Sequence, residues 1–154
     1  MGVMERVWER ARTRVRRIVL PEGDEPRTVA AAEILKREGL AEPILLGRGF
    51  MRERAEEYAA ALYELRRAKG LTEAQAAALV ADPMYYGMMM VKMGEADGLV
   101  SGAVHSTGDM LRPALQIIRT RPGMKLVSSS MLVESPNRSL GEDGLLVFAD
   151  CVVN

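Results

Sequence analysis

The chain has 154 residues, of which 48% are hydrophobic and 27% charged, a composition typical of a globular domain. Its 21 basic and 21 acidic residues balance, so net charge gives no attraction to nucleic acid or to a membrane surface. No stretch approaches the roughly 20 apolar residues of a membrane helix, and the Arg-rich beginning lacks the apolar run of a signal peptide. Cys151, the only cysteine, rules out an internal disulfide within this sequence, and we expect a cytoplasmic protein.

The first third of the chain predicts a βαβ unit. Residues 3–16 favour a basic helix, and the apolar residues 17–20 predict a buried strand. Pro26 suits the first turn of a helix that extends to about residue 38, and residues 43–47 predict a second strand. Two strands joined by a helix within about 30 residues form a parallel pair, so we predict an α/β fold with a parallel sheet.

The middle third predicts three helices. Residues 52–69 carry apolar side chains at helical spacing. Thr72 and Gln75 have the spacing of a capping box at the start of the next helix. Asp82 and Pro83 then supply an N-cap and a proline at the first position of the third helix.

The last third predicts a loop, a helix and two strands. Residues 97–102 predict a strand that runs into a loop at 101–109. We expect Asp109 or a neighbour to cap a helix that reaches about residue 119, with Pro113 in its first turn, since a proline further along would break the helix. Two β-rich stretches can then pair, and they are residues 126–133 and 145–151. We expect a first α/β domain at 1–125, followed at 126–154 by the start of a second domain or by a trailing β-hairpin.

The loop at 101–109 is the best candidate for a binding site, because ligands of parallel sheets bind beyond the carboxyl ends of the strands. Its backbone N–H groups and the following helix N-terminus could hold an anion such as phosphate, and Arg112 lies one turn further on. The alternative is a connection whose Ser106, Thr107 and Asp109 only cap the helix, with Arg112 a solvated surface charge.

Two other reactive side chains have ordinary explanations as well. His105, the only histidine, is either a general base or a loop residue that bonds to the backbone. For Cys151 we favour a buried, inert thiol over a nucleophile, because nothing near it in sequence lowers its pKa. No cluster has the spacing of metal ligands, so we predict no metal.

Long ordered motifs resemble those of the phosphate acetyl/butyryltransferase family. The densest match runs over residues 94–107 and continues at 111–118. The other matching segments are residues 18–27, residues 63–66 with Lys69 and Gly70, residues 82–87, and residues 148–154. The resemblance therefore covers nearly all of the chain from about residue 17.

The resemblance implies the N-terminal half of a phosphate acetyltransferase, with a three-layer fold of a parallel sheet and flanking helices that is incomplete here. It implies transfer of an acetyl group between coenzyme A and phosphate, as part of acetate metabolism. Arg66 and Arg112 correspond to family arginines that contact a phosphate of coenzyme A, and Ser106, Thr107 and Asp109 line the same cleft. The implied partners are coenzyme A or acetyl-coenzyme A, phosphate or acetyl phosphate, and a second copy in a homodimer. No cofactor is implied beyond coenzyme A as a substrate.

The chain departs from the family pattern in three places. Family members are about twice as long, and their second half supplies a Ser-Arg pair and an Asp that act on the thiol and the acyl phosphate, so the catalytic residues are not assigned here. Between Gly47 and Arg54 the chain is short where the family has a further β segment. Gly108 stands where the family more often has a small residue other than glycine. The alternatives are a non-catalytic remnant that binds coenzyme A or phosphate or only dimerises, and a domain of the kind found at the C-terminus of malic enzymes.

Overall fold

The structure is a computed structural model that describes residues 2–50 and 52–150. Its elements in chain order are α1 (Val3–Thr13), β1 (Arg17–Leu20), α2 (Pro26–Arg37), β2 (Glu42–Leu45), α3 (Ala55–Arg66) with a 3-10 turn (Arg67–Lys69), α4 (Glu73–Val80), α5 (Pro83–Lys92), β3 (Gly98–Leu99), α6 (Thr107–Pro113) with a π-helical turn (Ala114–Ile118), β4 (Ser130–Glu134) and β5 (Leu145–Ala149). They form two compact units, one of residues 14–119 and one that joins 1–13 to 120–154.

The larger unit is built on a three-stranded parallel sheet in the order β2-β1-β3, which confirms the predicted α/β fold. Val19 of β1 lies opposite Ile44 of β2 on one side and Leu99 of β3 on the other. Asp97 fixes the start of β3 against β1, because its Oδ2 accepts hydrogen bonds from Arg17 N at 2.9 Å and Arg17 Nε at 3.2 Å.

Helix α5 packs directly on this sheet. A Cβ placed on Gly87 would lie 2.8 Å from Val19 Cγ1 and 2.9 Å from Leu99 Cδ1, so glycine lets the helix backbone approach the strands. The methionines of α5 fill the rest of the contact, and Met89 is fully buried. The completely buried side chains of α3 and α4 extend the same core, and they are Tyr58, Leu62, Ala76 and Val80.

The caps of α4 and α5 are the ones predicted from the sequence. Thr72 accepts a hydrogen bond from Gln75 N while the Gln75 side chain accepts one from Thr72 N, which is the predicted capping box. Asp82 accepts from the N–H of Met84 at 2.7 Å and caps α5 as predicted. These caps depend on neighbours in sequence, which is why they can be predicted without the fold.

The prediction that Pro113 lies in the first turn of its helix is wrong. Ser106 is the N-cap, so Pro113 falls at the last residue of α6. Proline cannot donate to the carbonyl four residues back. The chain continues instead as a wider π-helical turn, in which Arg119 N donates to Ala114 O at 3.0 Å. The wider turn keeps the segment helical beyond the proline.

Several predicted elements are shorter in the structure. Helix α1 ends at Thr13, and β3 has only the two residues Gly98 and Leu99. The part of the predicted last strand that contains Cys151 lies outside the described residues, as does the prediction for its thiol.

The smaller unit contains α1 and a hairpin of β4 and β5, the pair of strands expected from the sequence. The strands are antiparallel, with Ser130 opposite Ala149 and Glu134 opposite Leu145. Glu134 Oε2 accepts a hydrogen bond from Met4 N at 3.4 Å, so the first turn of α1 lies against the hairpin. No helix within 2–50 and 52–150 has the length and apolar character needed to cross a membrane.

The close approach at Gly87 predicts that Gly87→Ala destabilises the protein. The substitution gains up to about 1 kcal/mol of helix propensity, but an extra methyl group in a packed contact costs about 1–3 kcal/mol. We expect the free energy of unfolding in urea to fall by up to about 2 kcal/mol as a result. Gly108→Ala is the matched control, because a Cβ there would meet only Ser106 Oγ, at 3.8 Å. Equal stability of the two variants would contradict the packing described here.

Candidate functional site

Three acidic residues follow β1, and the side chain of each accepts hydrogen bonds from a different segment of the fold. Asp24 Oδ2 accepts a hydrogen bond from Arg48 N at 2.7 Å and so holds the loop after β2. Glu25 caps α2 by accepting from Arg27 N at 3.4 Å. Glu22 bonds to a third segment, the loop after β3, where its Oε2 accepts a hydrogen bond from Ala103 N. Each acidic residue of this turn therefore has its own structural task.

Glu22 fills a cradle of backbone N–H groups formed by four successive residues. Its Oε2 accepts hydrogen bonds from Gly102 N at 3.1 Å and Ala103 N at 2.9 Å. Its Oε1 accepts from Val104 N at 2.9 Å and His105 N at 2.8 Å. The side chain is only 3% exposed. The loop that the sequence suggested for an external anion thus holds a carboxylate of the protein itself.

The cradle keeps this buried carboxylate ionised. Burial alone raises the pKa of Glu22, but hydrogen bonds from the N–H groups of Val104, His105 and Ala103 lower it by more. The net pKa lies well below the ordinary value for glutamate. At neutral pH the site therefore contains a permanent, fully bonded negative charge.

Glu22 also orients the only histidine. His105 Nδ1 lies 2.8 Å from Glu22 Oε1. An ionised carboxylate can only accept, so Nδ1 must carry the hydrogen, and in the neutral ring Nε2 is the acceptor. The half-buried ring lines an open cavity of about 410 Å³ together with Arg48 and Pro83.

The predicted residues at the start of α6 cap the helix. Ser106 Oγ accepts a hydrogen bond from Asp109 N at 3.2 Å, and Asp109 Oδ2 accepts from Ser106 N at 3.3 Å. Hydrogen bonds from Ser106 and the positive charge of Arg112 lower the pKa of Asp109. Thr107 is the exposed first residue of the helix. The geometry of Ser106 and Asp109 is the one expected from the capping interpretation.

The structure brings Arg66 and Arg112 together, although they are far apart in sequence. Both line an open cavity of about 560 Å³, with Lys69, Tyr85 and Gln116. Its apolar lining residues are Leu71, Ala78 and Leu79. No acidic side chain is among the lining residues within the described ranges. Three cations line this cavity, and Asp109, the carboxylate on which the charge of Arg112 acts, is not one of its lining residues, so the cavity suits a phosphate group.

Tyr85 connects the two sides of the cationic cavity. Its hydroxyl donates a hydrogen bond to Gln116 Oε1 at 3.0 Å, which ties α5 to the π-helical turn. Burial raises the pKa of Tyr85, and the nearby charge of Arg112 opposes that rise. Ser106, Thr107 and Asp109 are not among the residues that line this cavity.

Glu22 is the residue that sequence reasoning missed. Its only local signal is an acidic residue two positions after the apolar residues 17–20, and such a residue is common in the loops that follow strands. Its first partner, Gly102, is 80 positions away along the chain. Within residues 2–50 and 52–150, no group of three or more His, Cys, Asp or Glu side chains is arranged to hold a metal ion.

Comparison with known sequences gives a consistent result. The family described as Phosphate acetyl/butaryl transferase matches residues 2–154. A phosphate acetyltransferase of Thermoanaerobacterium thermosaccharolyticum is 44% identical over 174 residues, and the match covers 100% of this chain and 53% of that protein. A phosphate acetyltransferase of Clostridium acetobutylicum is 43% identical over 176 residues, and this match covers 100% of this chain and 53% of that protein. Because this chain has 154 residues, these relatives carry insertions that it lacks.

Solved structures resemble the fold as a whole. A phosphotransacetylase from Streptococcus pyogenes superposes with a TM-score of 0.87 at 36% sequence identity. The superposition covers 100% of this chain and 53% of the Streptococcus pyogenes chain. The EutD phosphotransacetylase from Staphylococcus aureus gives a TM-score of 0.80 at 32% sequence identity, and the superposition covers 100% of this chain and 52% of the Staphylococcus aureus chain. The chain therefore spans about half the length of the relatives it matches.

The lowered pKa of Glu22 predicts a pH-dependent cost for Glu22→Gln. Ionised Glu22 stabilises the fold fully above the pKa of a glutamate in the unfolded chain, about 4.3, and this stabilisation is lost as the pH falls below that value. The amide has one acceptor oxygen and places a donor against the other N–H groups, at a cost of about 1–3 kcal/mol near pH 7. We expect this difference in unfolding free energy to shrink toward about pH 3.

Glu33→Gln is the control for the Glu22 experiment, because Glu33 is exposed on α2 and the charge change is the same. Urea unfolding of the three proteins at several pH values gives the comparison. A difference between wild type and Glu22→Gln that stays constant with pH, or that equals the Glu33→Gln value, would contradict the cradle.

Proposed function

Because the chain belongs to the phosphate acetyl/butaryl transferase family, we propose that it forms the N-terminal half of an enzyme that transfers an acetyl group between coenzyme A and phosphate. The observation that carries the proposal is the cavity at Arg66 and Arg112, with its three cations and apolar wall. A phosphorylated ligand with an apolar ring system, such as coenzyme A, suits this combination of surfaces. The names of the relatives favour acetyl transfer over a malic-enzyme domain.

In this proposal Arg66 and Arg112 bind a phosphate of coenzyme A. Each guanidinium can donate two parallel hydrogen bonds to phosphate oxygens, an arrangement stronger than a single neutral bond. Lys69 adds a third positive charge at the same cavity. Tyr85 and Gln116 hold the cavity wall through their mutual hydrogen bond.

The start of α6 is proposed to form the neighbouring wall of the cleft. Ser106 and Asp109 fix the helix end through their reciprocal bonds, and Thr107 is exposed beside them. The charge of Arg112 acts on Asp109, which links this helix end to the cationic cavity. In this proposal Ser106 and Asp109 hold the start of α6 in place without contacting the ligand. The exposed hydroxyl of Thr107 is the group that contacts it.

In the reaction itself the sulfur of the coenzyme A thiol bonds to the carbonyl carbon of acetyl phosphate, and the bond from that carbon to the phosphate oxygen breaks, so that phosphate leaves. The step requires removal of the thiol proton and stabilisation of charge on the carbonyl and phosphate oxygens. The Ser-Arg pair and the Asp that the resemblance assigns to these steps belong to the half of the relatives without a counterpart here. The proposal includes a cytoplasmic location, a place in acetate metabolism, a homodimeric assembly, and no cofactor beyond coenzyme A as substrate. The 154-residue chain is therefore expected to bind coenzyme A without turnover.

Titration calorimetry with coenzyme A tests the binding proposal. We expect Arg66→Ala and Arg112→Ala each to weaken binding about tenfold, which corresponds to about 1.4 kcal/mol, because each removes a charge-assisted contact. Arg67→Ala is the matched control, since Arg67 is exposed, pairs with Glu64 and does not line the cavity. Pantetheine, which carries no phosphate, should bind all four proteins equally.

Two results would contradict the proposed function. Unchanged affinity of both Arg66→Ala and Arg112→Ala for coenzyme A would remove the cationic cavity from the binding site. Formation of acetyl-coenzyme A from acetyl phosphate by the 154-residue chain, above a control without protein, would refute the assignment of catalysis to the other half.

A further inference from the structure

The only two glutamines of the sequence both line the cationic cavity, and the protein holds the carbonyl oxygen of each. Gln116 Oε1 accepts a hydrogen bond from the Tyr85 hydroxyl at 3.0 Å, and Gln75 Oε1 accepts one from Thr72 N at 2.9 Å. Among the residues that the structure describes, the amide nitrogen of neither glutamine has a hydrogen-bond partner. Each side chain therefore keeps a free Nε2 donor while its carbonyl is fixed.

The π-helical turn brings Gln116 to the side of the helix that carries Arg112. The turn spans Ala114–Ile118 and follows Pro113, the last residue of α6. The four positions between Arg112 and Gln116 exceed one α-helical turn of about 3.6 residues, and the wider π-helical turn takes up part of that excess. Both side chains line the cavity as a result. Turns of this kind are frequent at functional sites.

The far end of the same segment is also fixed. Arg119 Nη2 donates a hydrogen bond to Leu65 O of α3 at 3.1 Å, and Leu65 directly precedes Arg66, another cation of the cavity. Together with the bond from Tyr85, this contact holds the Gln116 amide in one orientation relative to the arginines. The free donor is thus oriented before a ligand binds, which lowers the entropic cost of binding.

The lining of the cavity matches different parts of a ligand. Arg66, Lys69 and Arg112 suit phosphate oxygens, which are charged acceptors. Leu71 and Leu79 provide an apolar wall on which a ring can lie. A neutral amide donor suits an uncharged acceptor, and the edges of adenine present such acceptors, including the N7 to which glutamine amides commonly donate.

We propose that Gln116, oriented by Tyr85, is a specificity-determining residue of the cationic cavity, and that its Nε2 donates a hydrogen bond to a ring nitrogen of adenine. The inference rests on the proposed function, because it takes coenzyme A as the ligand, and it adds the group that recognises the base. Gln75 supplies a second free amide donor at the same cavity. A ligand that has phosphates but no base contacts only the cations.

Titration calorimetry with three probes separates these contacts. Adenosine 3′,5′-bisphosphate carries the base and phosphates, pyrophosphate carries phosphates alone, and 4′-phosphopantetheine carries the amide-containing arm and a phosphate without the base. We expect Gln116→Met, which removes the donor at similar volume, to weaken binding of adenosine 3′,5′-bisphosphate about fivefold. Pyrophosphate and 4′-phosphopantetheine should bind this variant and the wild type equally.

Tyr85→Phe tests the orienting role, since it keeps the aromatic ring and removes the hydroxyl. We expect it to weaken binding of adenosine 3′,5′-bisphosphate about threefold in the wild-type background. In Gln116→Met it should cause no further loss, because the amide that it orients is already absent. Leu115→Met is the matched control, since Leu115 is exposed on the same turn and does not line the cavity. Urea unfolding shows whether each variant keeps its fold.

Three outcomes would overturn the inference. If Gln116→Met binds adenosine 3′,5′-bisphosphate as the wild type does, while Arg112→Ala weakens it, the inference fails and the proposed function stands. If Gln116→Met weakens pyrophosphate or 4′-phosphopantetheine as much as adenosine 3′,5′-bisphosphate, the residue does not recognise the base. Unchanged affinity of both Arg66→Ala and Arg112→Ala for pyrophosphate and adenosine 3′,5′-bisphosphate would overturn the inference together with the proposed function.

Discussion

The ionised carboxylate of Glu22 in its cradle of four N–H groups organises the carboxyl-terminal side of the sheet. It joins the end of β1 to residues 102–105 after β3 and orients the ring of His105, the residue before the N-cap of α6. A carboxylate that accepts several backbone hydrogen bonds can stay charged even when buried. Without it, four adjacent N–H groups would lose the acceptor that they share.

This arrangement separates two tasks, fixing the loop and binding an anion, that the sequence predicted for the one loop at 101–109. The loop N–H groups hold an internal anion and fix the geometry of the loop, whereas Arg66, Lys69 and Arg112, which we propose to bind an external phosphate, line a different cavity. The two regions meet at α6, whose cap follows the cradle directly and whose last turn carries Arg112. A rigid loop therefore positions the helix whose Arg112 we propose to bind coenzyme A.

Features that depend on near neighbours could be predicted from the sequence, and those that depend on the fold could not. The Thr72–Gln75 box and the Asp82 cap lie within three residues of their partners. Family motifs also led to Arg66 and Arg112, which the fold brings to one cavity. Pro113 was misplaced because a π-helical turn, which local rules do not anticipate, accommodates it. The partners of Glu22 lie 80 or more positions away, so only the folded sheet reveals them.

Amide hydrogen exchange at residues 102–105, followed by NMR with and without inorganic phosphate, tests the cradle most directly. The account predicts slow exchange at all four amides in the wild-type chain, no change on addition of phosphate, and fast exchange in Glu22→Gln. Fast exchange of these amides in the wild-type chain, or a shift of their signals when phosphate is added, would show that the loop is open to external anions. Either result would contradict the central role assigned to Glu22.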